Sequence, residues 1–579
     1  MPDFAYDSAR EIRYGKDPAL DALLLHFMTE NGLEHSIDPE NATPEQIRFV
    51  VSLDEDAFYA PCGDWMLHFL LKARLDDSLK REYADQWRLL VRTVRAAMPA
   101  GPGRKRILQL CRYKFRMVLT TPILIPSRLL KRMLTIFLAL SGIPDPYFEK
   151  KREKNRRAKT FLESEFFNRL VNICPEDRIQ CTRITDLRFE LDLLEMARLL
   201  FFSTHKPFWD DDEATKGLDA DAMRHSLDSV DFSPLRSLFA PERGPLRILY
   251  LPRASGGILM DLKVVRSLLR QGHRVVMAIK EGFYFDSPTV WDIESDPILA
   301  EAFRGAYFLN NDRVTKNELL QAIREHPLVV ISDGTRERFN PYRLSVTMAR
   351  AWKECDLVLA KGEAYYRRLI GTSHEFTRDL LVFFSDEQGK FRMFFKPKPA
   401  HVRKFSEEAI IAKADSIIAE MREARAQGKT VMFYSAVVGS IPGQVKTAIE
   451  VLNIFVSHLR SRMEGTYVIN PGEHFEEGMD ADDLMFMWER VQRSGLLNVW
   501  RFQTHHDIEM SFELMGKKVP PVWAGKDATY STGCTKEMQI ALSVQKRQPE
   551  LQIIGPAPEK FLRRREYGVG RFSDVVVGG

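Results

Sequence analysis

The sequence RILYLPRASGGILMDLKVVRSLLRQGHRVVMAIKEG, residues 247–282, contains two apolar runs on either side of a helical pattern. A short apolar run at residues 248–251 is interrupted by Gly256 and Gly257. Apolar side chains then recur at helical spacing, at Ile258, Leu262, Val265 and Leu269. A second apolar run, residues 275–279, predicts another buried strand, so we interpret the stretch as a βαβ unit. Its first loop would lie at the carboxyl edge of a parallel sheet, where ligands usually bind, although the same unit is also a common building block without a site.

Strand and helix patterns continue to alternate from about residue 245 to residue 400. PLVVISDGT and DLVLAKGE indicate buried strands that end in loops, and DLLVFFSDEQGKFRMFFKPKP indicates strand, turn and strand. We therefore predict an α/β fold, a mostly parallel sheet with helices on both faces. Residues 1–240 are predicted to form a helical N-terminal subdomain, and residues 241–404 the α/β domain. Residues 405–579 are predicted to form a C-terminal α/β extension, either a second unit or a continuation of the first sheet.

Composition narrows the class of protein. The chain has 579 residues and a formal net charge of +4, which is too small for a chain of this length to argue for nucleic-acid binding. Its six cysteines include no CxxC pair, and its first residues contain no signal-peptide pattern. We therefore expect a cytoplasmic protein with reduced cysteines.

The most apolar segment, MVLTTPILIPSRLLKRMLTIFLAL (residues 117–140), is a weak candidate for a membrane span. Pro122 and Pro126 interrupt it, and three cations lie inside it, whereas a span requires about 20 predominantly apolar residues. We predict a buried amphipathic helix, with a helix lying on a membrane surface as the alternative. The charge run EKKREKNRRAK (residues 149–159) predicts a solvated helix face.

Five motifs in order resemble the damage-control phosphatase family, also called the acidic-residue-methyltransferase-like metal-binding domain family. They are APCGDWMLHFLLKAR, LSGIPDPYFEKKREKNRRAKTFL, the stretch 247–282, DLVLAKGEAYYRRL and FRMFFKPKP. The second is similar to the family segment GxxDPYxxxKxxxN, and the third to DNAGEIxxD followed by GHxVxxxxKxG. The fourth is similar to DLVIxKGxxNYxxL, while the first resembles a cysteine-bearing helix and the last a strand with a lysine. The resemblance covers roughly residues 50–400.

This resemblance implies hydrolysis of phosphate esters of small metabolites with a divalent metal, Mn, Mg, Co or Ni. In the family, an aspartate and an asparagine of the first loop and an aspartate of the second hold the metal, and a lysine binds phosphate. Oxygen ligands suit such hard cations, and the metal neutralises charge as the ester breaks.

The present chain departs from this pattern at the metal ligands. Arg253 stands at the aspartate position, Ala254 at the asparagine position, and Glu363 at the aspartate position of the second loop. A guanidinium group has no lone pair to offer, and two unit charges 4 Å apart repel by about 4 kcal/mol at an effective dielectric near 20. The remaining candidate metal ligands are Asp261, Asp286 and Glu363.

Arg253 has an alternative role as an anion ligand. Guanidinium binds phosphate bidentately, and the turn of Ser255, Gly256 and Gly257 would offer backbone N–H groups at a helix start. Lys361 would add positive charge. An Arg253 that is merely solvated remains the simpler alternative.

The candidate catalytic residues are Glu363, Lys398 and Asp333. Asp333 follows a strand and could act as a ligand or a base, although an Asp-Gly turn without chemistry explains it equally well. In the C-terminal region, His474, His505 and Cys534 are candidates without a recognisable motif.

Three functions follow from these residues. The first is a phosphoesterase that acts on a small phosphorylated metabolite through an altered metal site. The second is a metal-free pseudoenzyme that binds an anionic ligand or scaffolds a protein partner. The third places the activity in the C-terminal region. None of the three involves nucleic acid or a membrane span.

Overall fold

The chain folds into two compact units, Met1–Pro399 and Ala400–Gly579, in a computed structural model. The structure describes residues 6, 8–33, 44–54, 57–72, 74–171, 185–205, 207–210, 220–438, 440–441, 444–474, 476 and 478–563.

The first unit is built on a seven-stranded sheet in the order β3-β4-β2-β1-β5-β6-β7. Its strands are β1 (Arg247–Leu251), β2 (Arg274–Ile279), β3 (Tyr307–Leu309), β4 (Leu328–Ser332), β5 (Leu357–Lys361), β6 (Asp379–Ser385) and β7 (Phe391–Lys396). The first six are parallel, and β7 alone runs antiparallel, paired with β6. The predicted mostly parallel α/β fold is thus confirmed, including the strand, turn and strand at its edge.

Eighteen helices surround this sheet among the described residues of the first unit. They are α1 (Pro18–Asn31), α2 (Pro44–Val50), α3 (Asp64–Leu71), α4 (Asp77–Ala97), α5 (Pro102–Thr120), α6 (Pro126–Ser141), α7 (Phe148–Leu162), α8 (Glu165–Val171), α9 (Thr185–Thr204), α10 (Pro207–Asp210), α11 (Ala220–Asp228), α12 (Ser233–Leu238), α13 (Gly257–Arg270), α14 (Val290–Ser295), α15 (Pro297–Ala302), α16 (Lys316–Glu325), α17 (Val346–Glu354) and α18 (Glu363–Tyr365). A π-helical turn, Tyr366–Ile370, follows α18.

Hydrophobic cores lie on both faces of the sheet because successive strand residues point to opposite faces. Leu249 and Leu251 of β1 belong to one core, together with buried residues of α1 to α6. Ile248 and Tyr250 belong to the other, together with buried residues of α7 to α13. The helical segment that precedes the sheet in sequence therefore shares both cores with it, and the two form one unit.

The apolar segment at residues 117–140 lies largely in α6, which buries Leu129, Leu130, Met133, Leu134 and Phe137. This is the amphipathic helix that the interrupting prolines and cations predicted. Among the described residues, no helix is long and apolar enough to cross a membrane.

The second unit has its own four-stranded parallel sheet, in the order β11-β10-β8-β9. Its strands are β8 (Thr430–Ser435), β9 (Thr466–Ile469), β10 (Val499–Phe502) and β11 (Gln552–Ile554). Its helices are α19 (Glu407–Ala426), α20 (Val445–Arg462), α21 (Ala481–Gln492), α22 (His505–Leu514), α23 (Thr532–Gln545) and α24 (Pro558–Arg563). Of the two arrangements left open by the sequence, the C-terminal region adopts the separate α/β sheet.

The segment that resembles GxxDPYxxxKxxxN anchors α7 to the sheet. Lys151 is 1% exposed, and its Nζ lies 2.5 Å from carboxylate oxygens of both Asp145 and Asp292. One turn later, the Asn155 side chain accepts the Gly256 N–H at 2.6 Å and donates to Asp296 at 2.8 Å. The charge run predicted a solvated helix face, but the side chains of Lys151 and Asn155 in this run are buried.

We predict that Lys151→Ala lowers the free energy of unfolding by about 3–5 kcal/mol, because two buried carboxylates lose their cation. Urea denaturation of the two proteins measures this difference. The control is Lys159→Ala on the same helix, whose half-exposed ion pair with Glu163 is worth about 0–1 kcal/mol. Equal losses in the two variants would show that the buried pair does not anchor α7.

Candidate functional site

A cavity of about 620 Å³ opens at the carboxyl edge of the first sheet. Loops that follow β1, β2, β4 and β5 line it, together with the end of β6. Helices α4 and α7 contribute residues from the side. This is the position at which open α/β sheets usually bind ligands.

Positive charge dominates the lining of the cavity. Its cationic residues are Arg92, Lys150, Lys154, Arg253, Lys280, Arg338 and Lys361. Its carboxylates are Asp210 and Asp286. A concave surface lined mostly by one sign of charge concentrates ligands of the opposite sign, which here are anions.

Lys361 forms a buried ion pair at the end of β5. Its Nζ lies 2.6 Å from each carboxylate oxygen of Asp261, and the Tyr250 hydroxyl donates to the same carboxylate at 2.8 Å. Asp261 is fully buried, and burial raises its pKa against the opposing effect of Lys361. Asp261, a predicted metal ligand, therefore has both oxygens engaged.

Lys280, just after β2, forms a second buried pair. Its Nζ lies 2.5 Å from Asp333 and also donates to Thr335 Oγ1 and the Glu337 carbonyl. The Thr335 amide and hydroxyl donate to Asp333 as well. Burial raises the pKa of Asp333, and Lys280 opposes that shift. Asp333 is therefore held by hydrogen bonds within its own turn. Of the two paired residues, Lys280 lines the cavity and Asp333 does not.

Asp286 is the predicted metal ligand that does line the cavity. Lys154 Nζ lies 3.0 Å from one of its oxygens, and Lys150 Nζ lies 4.0 Å from the other. Lys154 also contacts Asp210 at 2.6 Å. Lys150 and Lys154 belong to the charge run in α7. Neither lysine was among the site residues predicted from the sequence.

Glu363 and Lys398 lie outside the lining of the cavity. The Glu363 carboxylate accepts from Arg367 at 2.8 Å, and Arg367 also contacts Glu82. Lys398 follows β7, which runs antiparallel and so leads the chain away from the carboxyl edge. Its backbone N–H donates to Asp379, the first residue of β6, at the opposite edge of the sheet.

The backbone groups of the first loop are also engaged. The Ser255 N–H donates to the Asp286 carbonyl at 2.7 Å, and the Gly256 N–H donates to Asn155. Gly256 has φ +76° and packs so closely on Trp209 that an added Cβ would lie 2.6 Å from that ring. Gly257 is also crowded, by Trp209 and by Lys361. Contacts within the protein therefore hold this first loop in place.

Arg253 extends from this loop across Gly362. A Cβ on Gly362 would lie 2.7 Å from Arg253 Cδ. Among the described residues, the guanidinium of Arg253 has no hydrogen bond or ion pair, and the same holds for Arg338 and Arg92. Burial lowers the pKa of Arg253, and the charge of Arg338 lowers it further. Arg338 is a site residue that the sequence reasoning missed, although GTRERF follows the strand that ends at the same edge.

A divalent metal does not fit this set of side chains. Arg253 and Ala254 occupy the ligand positions of the first loop, and Asp261, Asp286 and Glu363 are each paired with a cation. Within the described part of the chain, no group of three or more His, Cys, Asp and Glu side chains is arranged to hold a metal ion.

The C-terminal candidates have ordinary structural surroundings. Cys534 is 1% exposed, and burial raises the pKa of its thiol, which disfavours the reactive thiolate. His474 packs edge-on against Trp488, and burial lowers its pKa. His505 is the exposed first residue of α22.

One comparison with known families agrees with the resemblance seen in the motifs. The model of the damage-control phosphatase ARMT1-like domain matches residues 73–385. Among solved structures, the chain is similar to a DUF89 family protein from Pyrococcus horikoshii at 16% identity and a TM-score of 0.36. That match covers 54% of this chain and 93% of the other. A search of curated proteins found no match.

We predict that Gly362→Ala is more destabilising than Gly389→Ala. Both glycines have positive φ, +119° and +78°, so each alanine incurs backbone strain of about 1–3 kcal/mol. Only at Gly362 would the new methyl group also meet a side chain, Arg253, which adds about 1–3 kcal/mol. Urea denaturation compares them, and equal midpoints would show that Arg253 does not pack on Gly362.

We also predict that millimolar Mn²⁺ or Co²⁺ leaves the melting temperature of the protein unchanged. The double variant Arg253→Asp, Ala254→Asn restores two oxygen donors and should be stabilised by the same ions through mass action. Arg336→Asp, an exposed change of the same charge, is the control. A metal-induced rise in the melting temperature of the unmodified protein would contradict the assignment.

Proposed function

The chain belongs to the damage-control phosphatase ARMT1-like family, and we propose that its cavity binds a small phosphorylated metabolite without a metal ion. Arginine guanidinium groups take the role of the cation. In this proposal the domain is a pseudoenzyme that has the family's fold and ligand class and uses them for binding.

The observation that carries the proposal is the pair of guanidinium groups, Arg253 and Arg338, at one cavity. Each is partly buried, and the charge of Arg338 lowers the pKa of Arg253, a shift that burial begins and Glu363 and Asp286 oppose. Among the described residues, neither guanidinium forms an ion pair or hydrogen bond with a carboxylate. Two like charges in a partly desolvated space repel each other. A phosphate dianion would remove this repulsion and accept paired hydrogen bonds from both groups.

The lysines of the cavity support the same reading. Lys361 and Lys280 are neutralised by Asp261 and Asp333, which lie behind them and not in the cavity lining. Both lysines therefore line the cavity in fixed positions, held by their buried partners. A bound anion would add to existing charge pairs without exposing an unpaired buried lysine.

The size and remaining walls of the cavity favour an organic phosphate over the inorganic ion. A volume of about 620 Å³ is in the range of sites for ligands of roughly drug size. Its aromatic lining consists of Tyr147, Trp209, Tyr284, Phe285, Phe339, Tyr365 and Phe384. We propose that the phosphate meets the arginines and that the organic part packs on these rings.

Hydrolysis is the less supported alternative. It requires a group that activates water, and the two carboxylates first suggested for this, Glu363 and Asp333, are paired with Arg367 and Lys280. Asp286 alone among the predicted carboxylates lines the cavity, and it already neutralises Lys154. A binding role needs none of these groups to be free.

We predict that a sugar phosphate raises the melting temperature of the protein in the presence of a metal chelator. Arg253→Ala and Arg338→Ala should each weaken binding by about tenfold or more, since a charged hydrogen bond is worth roughly 1.5–3 kcal/mol. Isothermal titration calorimetry gives the affinities.

The control for these variants is Arg336→Ala, whose side chain is exposed and pairs with Glu281 near the same loop. It should bind like the unmodified protein. Binding that requires Mn²⁺, or that survives both arginine substitutions, would refute the proposal. Manganese-dependent release of phosphate that is lost in Glu363→Ala would restore the phosphoesterase alternative.

A further inference from the structure

The outward face of α5 carries an apolar stripe at Leu110, Tyr113 and Met117. These side chains are 42%, 61% and 48% exposed. Their three- and four-residue spacing places them on one side of the helix. Another side of the helix buries Ile107, Cys111 and Val118 in the protein core, and the stripe faces solvent.

A basic stripe runs beside the apolar one. Lys105, Arg112 and Arg116 follow the same helical repeat and are exposed, and Arg106 lies among the apolar side chains. The whole helix contains six cations and no acidic residue. Within the described part of the chain, none of these four exposed cations has an ion-pair partner. A surface helix in a globular protein ordinarily mixes both signs of charge.

We propose that the face formed by Leu110, Tyr113 and Met117 with Lys105, Arg106, Arg112 and Arg116 docks on an anionic lipid surface. Basic side chains would lie among the phosphate and carboxylate headgroups while the apolar side chains enter the interface. Tyrosine suits that depth because its ring is apolar and its hydroxyl is polar.

The combination of the two stripes favours lipid over other anions. A nucleic acid would attract the cations, but it offers no apolar phase for Leu110 and Met117. An acidic protein surface would pair with the cations, but it requires a matched groove for the apolar side chains. A bilayer interface accepts both stripes without specific shape.

The helix can dock without rearranging. Its inner face is fixed by the core, and Phe115 stacks on Trp87 of α4 with ring centroids 5.4 Å apart. Docking therefore orders no new backbone and requires only the side chains of the outer face. The attraction is electrostatic in part, so it should weaken as salt shortens the screening length.

The test is co-sedimentation of the full chain with vesicles of phosphatidylcholine, with and without about a third of phosphatidylserine. We expect binding to the anionic vesicles only, reduced at high salt. Leu110→Ser, Tyr113→Ser, Met117→Ser should reduce the bound fraction about tenfold, and Lys105→Gln, Arg112→Gln, Arg116→Gln should do the same.

Matched controls separate this face from general effects. Leu25→Ser, Leu514→Ser removes other exposed apolar side chains, and Lys429→Gln, Arg462→Gln, Lys518→Gln removes other exposed cations. Both control proteins should bind like the unmodified chain. Absence of binding to anionic vesicles overturns the proposal, as does equal loss in the controls. A serine variant that binds vesicles fully while the glutamine variant does not would show simple attraction to any polyanion and would also overturn it.

Discussion

The buried ion pair between Lys361 and Asp261 is the interaction on which the site depends. It joins the end of β5 to the first turns of α13, and Tyr250 of β1 donates to the same carboxylate. Burying two charges carries a large desolvation penalty, which is offset only when geometry and hydrogen bonding are good. Here the lysine lies 2.6 Å from both oxygens and also contacts the carbonyls of Ser203 and Gly257. The pair thus fixes the two loops between which Arg253 extends.

The same arrangement occurs on the neighbouring side of the sheet, where Lys280 and Asp333 pair behind the cavity. In both pairs the lysine lines the cavity and its buried carboxylate partner lies outside the lining. This placement inverts the electrostatics of a metal site, in which carboxylates face inward and bind a cation. In this arrangement Arg253 adds one more cation to a mostly cationic lining, which favours anions as ligands.

Local patterns in the sequence were sufficient for the fold and for part of the site. The βαβ unit, the strand ends and the edge hairpin follow from periodicity, and they place Arg253 and Lys361 at one edge. Contacts between residues that are far apart in the sequence could not be predicted from such local patterns. Gly256 and Asn155 are 101 residues apart, and Lys361 and Asp261 are 100 apart, so neither contact leaves a local signal. Lys398 is different, because a strand, turn and strand already implies that the chain returns to the opposite edge.

The segment DPYFEKKREKN explains how family motifs can persist around a changed site. Lys151 bridges two buried carboxylates, and Asn155 accepts the Gly256 N–H, so both side chains help to fix the position of the first loop. A loop held in this way keeps its shape whether its side chains are metal ligands or arginine. The requirement for a fixed loop is the same in both cases, because bidentate recognition of phosphate tolerates little displacement of a guanidinium. The resemblance to the family therefore includes a residue that holds the first loop, Asn155, while Arg253 differs from the family pattern in charge.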